Sequence, residues 1–475
     1  MKSAGEVPRR ALITSSESKT EMNQAPVPPM PAGIHNVYLF DVFNAASWSV
    51  VLGTPMLLFL QHLNASALIV AVGACLSPLL NILQIPAARF VERVGYRRFV
   101  LSGWSTRSFL VIGMTICAFL PEDMSPSWRI DIMLLLLFLY NVLRGISVCG
   151  MLPWFTHIVP EMRRGEFIAK DQSAIAFSGI ISLFFFGLVL KGVHAWYSFG
   201  FVFSISAVAA FVSLLFLRRI PDVPVEEISN NPTPPPWRAM FFYPPFLNYI
   251  RYNVFINMAL GASNVFWVRY FRVFLHASDS HILFVACAIN IALISALFLI
   301  SSIIDRMDNK PVLTISGILL TAHYLVWACV AAGLLPFNHW VLAGQVLTAG
   351  FGAALWNLGN IRFVMGIVPP TGRPHFLALY SVASNLTLGG VPLIWGAILD
   401  RLETWRYSWG WWNWNGYTLL YAVLALTTIA GVSILQTLDE PKKMTWDIFM
   451  REFLVKMPAR AVSRLLGRWR GPGIG

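Results

Sequence analysis

The chain has 475 residues, 56% hydrophobic and 12% charged, with a formal net charge of +12. A soluble domain carries about 25% charged residues, so this composition excludes a soluble globular enzyme and a disordered chain. The apolar residues come in blocks long enough to cross a hydrocarbon layer about 30 Å thick, which predicts an all-α integral membrane protein.

In chain order, residues 1–33 lack an apolar run of seven and read as a polar cytoplasmic tail, leaving the first span as the insertion signal. Six spans are expected at 34–60, 65–88, 99–120, 130–158, 171–190 and 195–217, forming a first bundle over 34–217. Residues 218–245, with IPDVPVEEISNNPTPPPW, read as a cytoplasmic linker. Six further spans at 246–271, 281–304, 312–335, 340–368, 376–399 and 416–436 make a second bundle over 246–436. The stretch from Trp405 to Trp414 predicts an aromatic belt at the membrane interface. In the tail, 437–475, Phe449, Phe453, Met457, Ala461, Leu465 and Trp469 recur opposite Arg451, Lys456, Arg460, Arg464 and Arg468. That pattern predicts a basic amphipathic helix on anionic inner-leaflet lipids.

Placing both termini in the cytoplasm of a cell assigns 25 of the 35 Lys and Arg to inside segments and five to outside loops, the bias expected at a cell membrane. The net charge is therefore a topology signal, and nucleic-acid binding would need a soluble basic domain. The five cysteines stand singly in different spans and read as core residues. With no HExxH, no His and Cys cluster and no acids paired beside a nucleophile, neither catalysis nor a metal or cofactor is expected. A monomer is expected.

The two halves repeat one another. Ala88-Arg89-Phe90-Val91-Glu92-Arg93-Val94-Gly95-Tyr96-Arg97-Arg98 follows the second span, and Ser301-Ser302-Ile303-Ile304-Asp305-Arg306-Met307-Asp308-Asn309-Lys310 follows the eighth. Each has an acid, an Arg, then a base four residues on. Val159-Pro160 and Val368-Pro369 recur after the fourth and tenth spans, at offsets of 213 residues for the acids and 209 for the prolines.

These residues resemble the major facilitator superfamily of secondary transporters, whose signature is G-x-x-x-D-R-x-G-R-R. Glu92, Arg93, Gly95 and Arg97 fall on its later positions, with Ala88 for the leading Gly, Glu for Asp and Tyr96 for an Arg. Asp305 and Arg306 match in the second half, where Asp308 replaces the Gly, and Arg144-Gly145 falls where the family often has an intramembrane Arg. The resemblance covers about residues 34–436. It implies twelve transmembrane helices in two six-helix pseudo-symmetric bundles and alternating-access transport of a small polar or anionic organic solute. Symport with protons is the finer expectation; a uniporter, a drug exporter and a non-transporting receptor or scaffold are the alternatives. Glu92, Arg93, Gly95, Arg97, Asp305 and Arg306 are expected to latch the cytoplasmic side.

Charges within spans are costly and mark functional candidates. Arg251 and Arg269 lie near the ends of span 7 and are expected to snorkel; Arg107 and Arg362 lie about two turns from the inner ends of spans 3 and 10. Arg144 stands about 21 Å from each end of its span and needs a cavity, an acid or an anionic ligand. Asp41 is the one evident intramembrane acid. By resemblance to the sugar–proton branch, Asp41 and Arg144 would form a proton switch. His323 reads as a core histidine, since the fold implies a peripheral span 9. Spans 1, 4, 7 and 10, which wall the cavity in this family, carry Asn44 and Trp48, Asn141, then Asn253, Asn257 and Asn264 on one face, and Gln345, Trp356 and Asn360. These suit a polar solute or act as interhelical glue. Five intramembrane Arg against one acid tilt the expectation slightly towards an anion.

Overall fold

The computed structural model describes residues 29–438, apart from 122–123, 161–162, 193–196, 223–241, 302–308, 369–372 and 411. Span 1 is two helices, α1 (His35–Val51) and α2 (Thr54–His62). Pro55 has no N–H for the preceding turn, so it ends α1 and sits in the first turn of α2. Span 2 is α3 (Ala67–Leu80), a 3₁₀ turn at Asn81–Leu83 and α4 (Gln84–Val94). Span 3 is α5 (Tyr96–Ala118); span 4 is α6 (Pro126–Ser147), a 3₁₀ turn and α7 (Met151–Ile158). Spans 5 and 6 are α8 (Arg164–Gly192) and α9 (Ser198–Leu217).

The second half holds α10 (Pro244–Arg269), which runs into a π turn at Tyr270–Phe274, then α11 (Asp279–Ser301) and α12 (Asn309–Ala331). It closes with α13 (His339–Ile367), α14 (Arg373–Arg401) and α15 (Gly416–Gln436). Among the described residues, eleven spans are long and apolar enough to cross a membrane. Span 7, α10, is not among them, because Asn248, Arg251, Asn253, Asn257 and Asn264 lower its hydropathy.

Packing divides the molecule by depth. At the face where residues 29 and 438 lie, here the terminal face, each half has its own core. Val37, Phe40, Trp104, Trp154 and Leu217 form one, and Phe246, Tyr249, Phe363 and Leu435 another. Towards the opposite face a single cluster joins the halves, with Leu58, Leu60, Met133 and Phe203 in the same core as Ala262, Phe266, Tyr324 and Leu424. The bundles are therefore fused by apolar packing at one face and separately packed at the other.

Two elements differ from expectation. Span 5 starts at Arg164, seven residues before the expected 171, so Asp171 lies two turns inside a helix. The Trp-rich loop, expected only as an aromatic belt, is an antiparallel hairpin of β1 (Arg406–Trp409) and β2 (Trp412–Asn415) pairing Tyr407 with Trp414 and Trp409 with Trp412. Its turn needs the positive φ of Gly410, +61°. Four-residue strands give too short an alternation to be told from an interfacial run. The tail residues 439–475, including the expected amphipathic helix, lie outside the described residues, as do Asp305 and Arg306.

Close backbone approach explains Gly145, the neighbour of Arg144. A Cβ there would stand 2.3 Å from the Leu80 carbonyl oxygen, so α6 lies directly on the end of α3. Gly145→Ala is expected to destabilise by about 1–3 kcal/mol and lower the thermal unfolding midpoint of the purified protein. Gly390→Ala, which meets no atom within 4 Å, is expected to leave that midpoint unchanged or slightly raised.

Candidate functional site

In the first half, α1 presents Asp41 and Asn44 about one turn apart, Asp41 towards α8 and Asn44 towards α5. Arg107 of α5, 5% exposed, donates to Asn44 Oδ1. Its guanidinium carbon lies 4.0 Å from the Trp104 ring centre and 5.3 Å from that of Tyr140. Trp104 Nε1 donates to the same Asn44 oxygen at 3.3 Å. The Asp41 carboxyl lies within hydrogen-bonding reach of the Asp171 carboxyl on α8, and the cation acting on it is Arg107. Two carboxyls this close can share a hydrogen bond only when one of them is protonated, because an ionised carboxylate only accepts. Ser178 Oγ anchors the helices beside them, donating to the Val42 carbonyl at 2.6 Å.

The expected Asp41–Arg144 pairing is not the one the structure makes. Arg144 Nη1 donates to Ser77 Oγ and Asn81 Oδ1, each at 3.1 Å. The contact at Gly145 and the 3₁₀ turn after α3 put these span 2 oxygens within its reach. Asn141 Nδ2 turns back onto its own helix, donating to the Leu137 carbonyl at 2.9 Å. Asp171 escaped the sequence reading because it fell on an expected helix boundary; the available signal was the Arg164-Gly165 helix start two turns earlier.

In the second half the expected Asn stripe divides. Asn253 Nδ2 donates to Asn360 Oδ1 at 3.1 Å and to Tyr380 Oη at 3.4 Å, and its Oδ1 accepts from Asn257 Nδ2 and Ser384 Oγ, each at 2.6 Å. Tyr249 Oη donates to the Asn360 carbonyl at 2.7 Å. Asn253 and Asn360 thus bind α10, α13 and α14 together, whereas Asn257 and Asn264 reach a cavity.

That cavity, of about 580 Å³, lies at the seam of the halves from mid-depth towards the opposite face. Trp48, Asn257, Asn264, Gln345 and Trp356 line it, as expected from their spans. Span 4 does not: neither Asn141 nor Arg144 is on the wall, and spans 5, 8, 9 and 11 contribute instead. His323 of α12 is buried, 9% exposed, and paired with Thr348 as expected of a core histidine, and it also borders the cavity, as does Asn290 of α11. Among the described residues the wall carries no Lys, Arg, Asp or Glu, which removes the basis for the tilt towards an anion at this cavity. Its signal in the sequence was the aromatic spacing of Tyr324 and Trp327 beside His323.

Most polar bonds between the halves gather at the opposite face, while Asn81 Nδ2, nearer mid-depth, donates to Asn385 Oδ1 at 3.4 Å. The Asp400 carboxylate accepts from the Ala67 and Leu68 N–H groups at 2.6 and 2.9 Å, capping the N-terminus of α3, where the helix dipole favours an anion. Arg269 Nη1 donates to the Ala65 carbonyl at 3.0 Å and Arg272 Nη1 to the Leu58 carbonyl at 2.7 Å. Arg269 also lies 3.7 Å from Glu403, and Arg272 3.3 Å from Asp279. Arg269, expected to snorkel, is instead 9% exposed and spends its donors across the seam. At the terminal face Gly95 has φ +88° and ends α4. Arg97 donates to the Arg218 carbonyl within the first half, and Arg93 is exposed. The Glu92 side chain lies outside what is described.

No curated protein sequence matches the chain. Among solved structures, a D-xylose–proton symporter superposes with a TM-score of 0.67 at 15% identity, covering 87% of this chain and 98% of its own. The inward-open xylose transporter XylE from E. coli gives 0.66 at 14% identity, covering 87% and 98%. A mutant of the nucleoside transporter NupG gives 0.66 at 12% identity, covering 86% and 100%. At such identities the likeness is one of fold, the twelve-helix fold of two bundles. The profile described as Major Facilitator Superfamily matches residues 37–325, more than half of the sequence, and the chain belongs to that superfamily of membrane transporters.

Proposed function

We propose that this transporter moves a small polar organic solute by alternating access, with the seam cavity as its binding site. The observation that carries the reading is the position of that cavity. It lies between bundles that share one core towards the opposite face and have separate cores at the terminal face. Rocking the halves would exchange the Asp400, Arg269 and Arg272 bonds for water and bring the terminal-face ends together. The excess of Lys and Arg on the terminal side supports a cytoplasmic terminal face, and the form described is then open inward. Glu92, Arg93, Gly95, Arg97, Asp305 and Arg306 are assigned to closing that face in the other form.

Coupling to protons is assigned to the Asp41–Asp171 pair. It is supported by the carboxyl contact, by the Arg107 charge beside it, and by burial two turns from the terminal face. Movement of α5 against α1 would change how strongly Arg107 favours the ionised pair, which is the physical requirement for linking a proton to a conformational change. In proteoliposomes with an imposed pH gradient, Asp41→Asn and Asp171→Asn should each abolish uphill uptake while preserving solute exchange. Undiminished accumulation by either variant would remove the pair from coupling.

The closed face gives a second test. Asp400→Asn loses a charge-assisted cap on α3, and the inward-open form should lose population by about tenfold relative to the outward one. A cysteine at Leu57, buried on the cavity wall, should then react faster with an impermeant maleimide applied from the opposite face; equal rates in both backgrounds would refute this gate.

A further inference from the structure

Spans 3 and 6 touch near the opposite face and part towards the terminal face. Phe119, at the end of α5, meets Phe201 edge to face with ring centres 5.6 Å apart, and a Cβ on Gly200 would stand 2.5 Å from Phe119 Cδ1. From mid-depth to the terminal end, the space between α5 and α9 is a groove of about 510 Å³. Along α9 it runs from Ala207 to Arg218, about 16 Å at 1.5 Å per residue. That is half of a hydrocarbon layer about 30 Å thick, the depth of one leaflet. Phe109 and Phe211 link its two walls, ring centres 5.4 Å apart. Phe109 and Val208 are 62% and 64% exposed, so the groove faces the bilayer and is no part of the core.

Among the residues that line it, only Ser105 and Arg218 carry polar side chains. Arg218, the residue after α9, stands at the terminal end. Arg97 of α5 donates to the Arg218 carbonyl, which holds the start of α5 beside the end of α9. Arg98, exposed, lies on the same face of α5 as the groove residues Ser105 and Phe109, seven and eleven positions on. Each wall thus brings an arginine to the terminal end of the groove. Among the described residues neither Arg98 nor Arg218 makes an ion pair.

We propose that this groove binds a single anionic phospholipid of the terminal-face leaflet, with one acyl chain between α5 and α9 and the phosphate paired with Arg98 and Arg218. The one-leaflet depth selects a lipid over a partner helix, which would need a groove across the whole layer. Two cations without counter-charge at headgroup level select an anionic headgroup. The excess of Lys and Arg points this face to the cytoplasm, whose leaflet is the anionic one. The site is separate from the basic tail, and it stands whatever solute the seam cavity takes.

The test is native mass spectrometry of the full chain released from detergent, titrated with phosphatidylglycerol or phosphatidylcholine carrying the same acyl chains. The first phosphatidylglycerol is expected to bind about tenfold tighter than the first phosphatidylcholine. Arg98→Gln combined with Arg218→Gln should remove that preference and leave phosphatidylcholine binding unchanged; the Arg97 bond is to main chain and persists. Val208→Trp, which places a ring in the groove without altering a charge, should weaken phosphatidylglycerol by about tenfold. Lys191→Gln, which removes a cation at the opposite end of α8, should change nothing. Equal affinity for the two lipids, a preference that survives loss of both arginines, or undiminished binding to the Val208→Trp variant would each overturn the proposal. Displacement of the lipid by an equal concentration of glycerol phosphate would mark a site for a free anion and overturn it too. The two lipids on the unaltered chain decide the matter where a variant fails to fold.

Discussion

A polar group inside a bilayer has no water to turn to, so its partner must come from the protein, and this constraint organises the buried half of the sequence. Arg107 is met by Asn44 and two aromatic faces, Arg144 by Ser77 and Asn81, and Arg269 and Arg272 by carbonyls of the other half. Apart from Arg107 with Trp104 of its own helix, each of these pairings joins different spans, and together they help fix which helices lie side by side. Asn253 of α10 obeys the same rule: without access to the cavity, it is satisfied by α13 and α14.

The same constraint separates what is rigid from what can move. Within each half, side chains hold side chains through networks such as Tyr249–Asn360–Tyr380 and Arg107–Asn44–Trp104. Between the halves the bonds are fewer and, apart from Asn81–Asn385 nearer mid-depth, lie towards the opposite face, at the level where apolar packing also joins the bundles. Bundles meeting at a seam with replaceable bonds would suit the proposed alternating access, since water could take over each of those bonds if the face opened.

The spans, their number and the twofold repeat were legible because hydropathy and signature spacing are local properties of the chain. Pairings across helices were not. Asp41 was visible as a buried acid, but its neighbour Asp171 became one only when span 5 proved seven residues longer at its start. Arg269 had the spacing of a snorkelling residue, and nothing along the sequence says that the Ala65 carbonyl waits beside it. Arg144 was rightly singled out as needing a partner, but that partner depends on a 3₁₀ turn in span 2, which no periodicity announces. His323 was assigned to the core and is buried there; what the sequence did not announce is that the cavity extends to it between α10 and α12.

The closed face has a property that follows from its chemistry. Arg269 and Arg272 grip the carbonyls of Ala65 and Leu58, and Asp400 grips the N–H groups of Ala67 and Leu68. On the first-half side every partner is main chain, and main chain is the same whatever residue carries it. Which side chains stand at these four positions therefore does not determine the bonds, whereas the three charged residues opposite do. Across homologues such a junction would leave no correlated pairs of substitutions: one side constant, the other free, and the contact between them invisible to covariation.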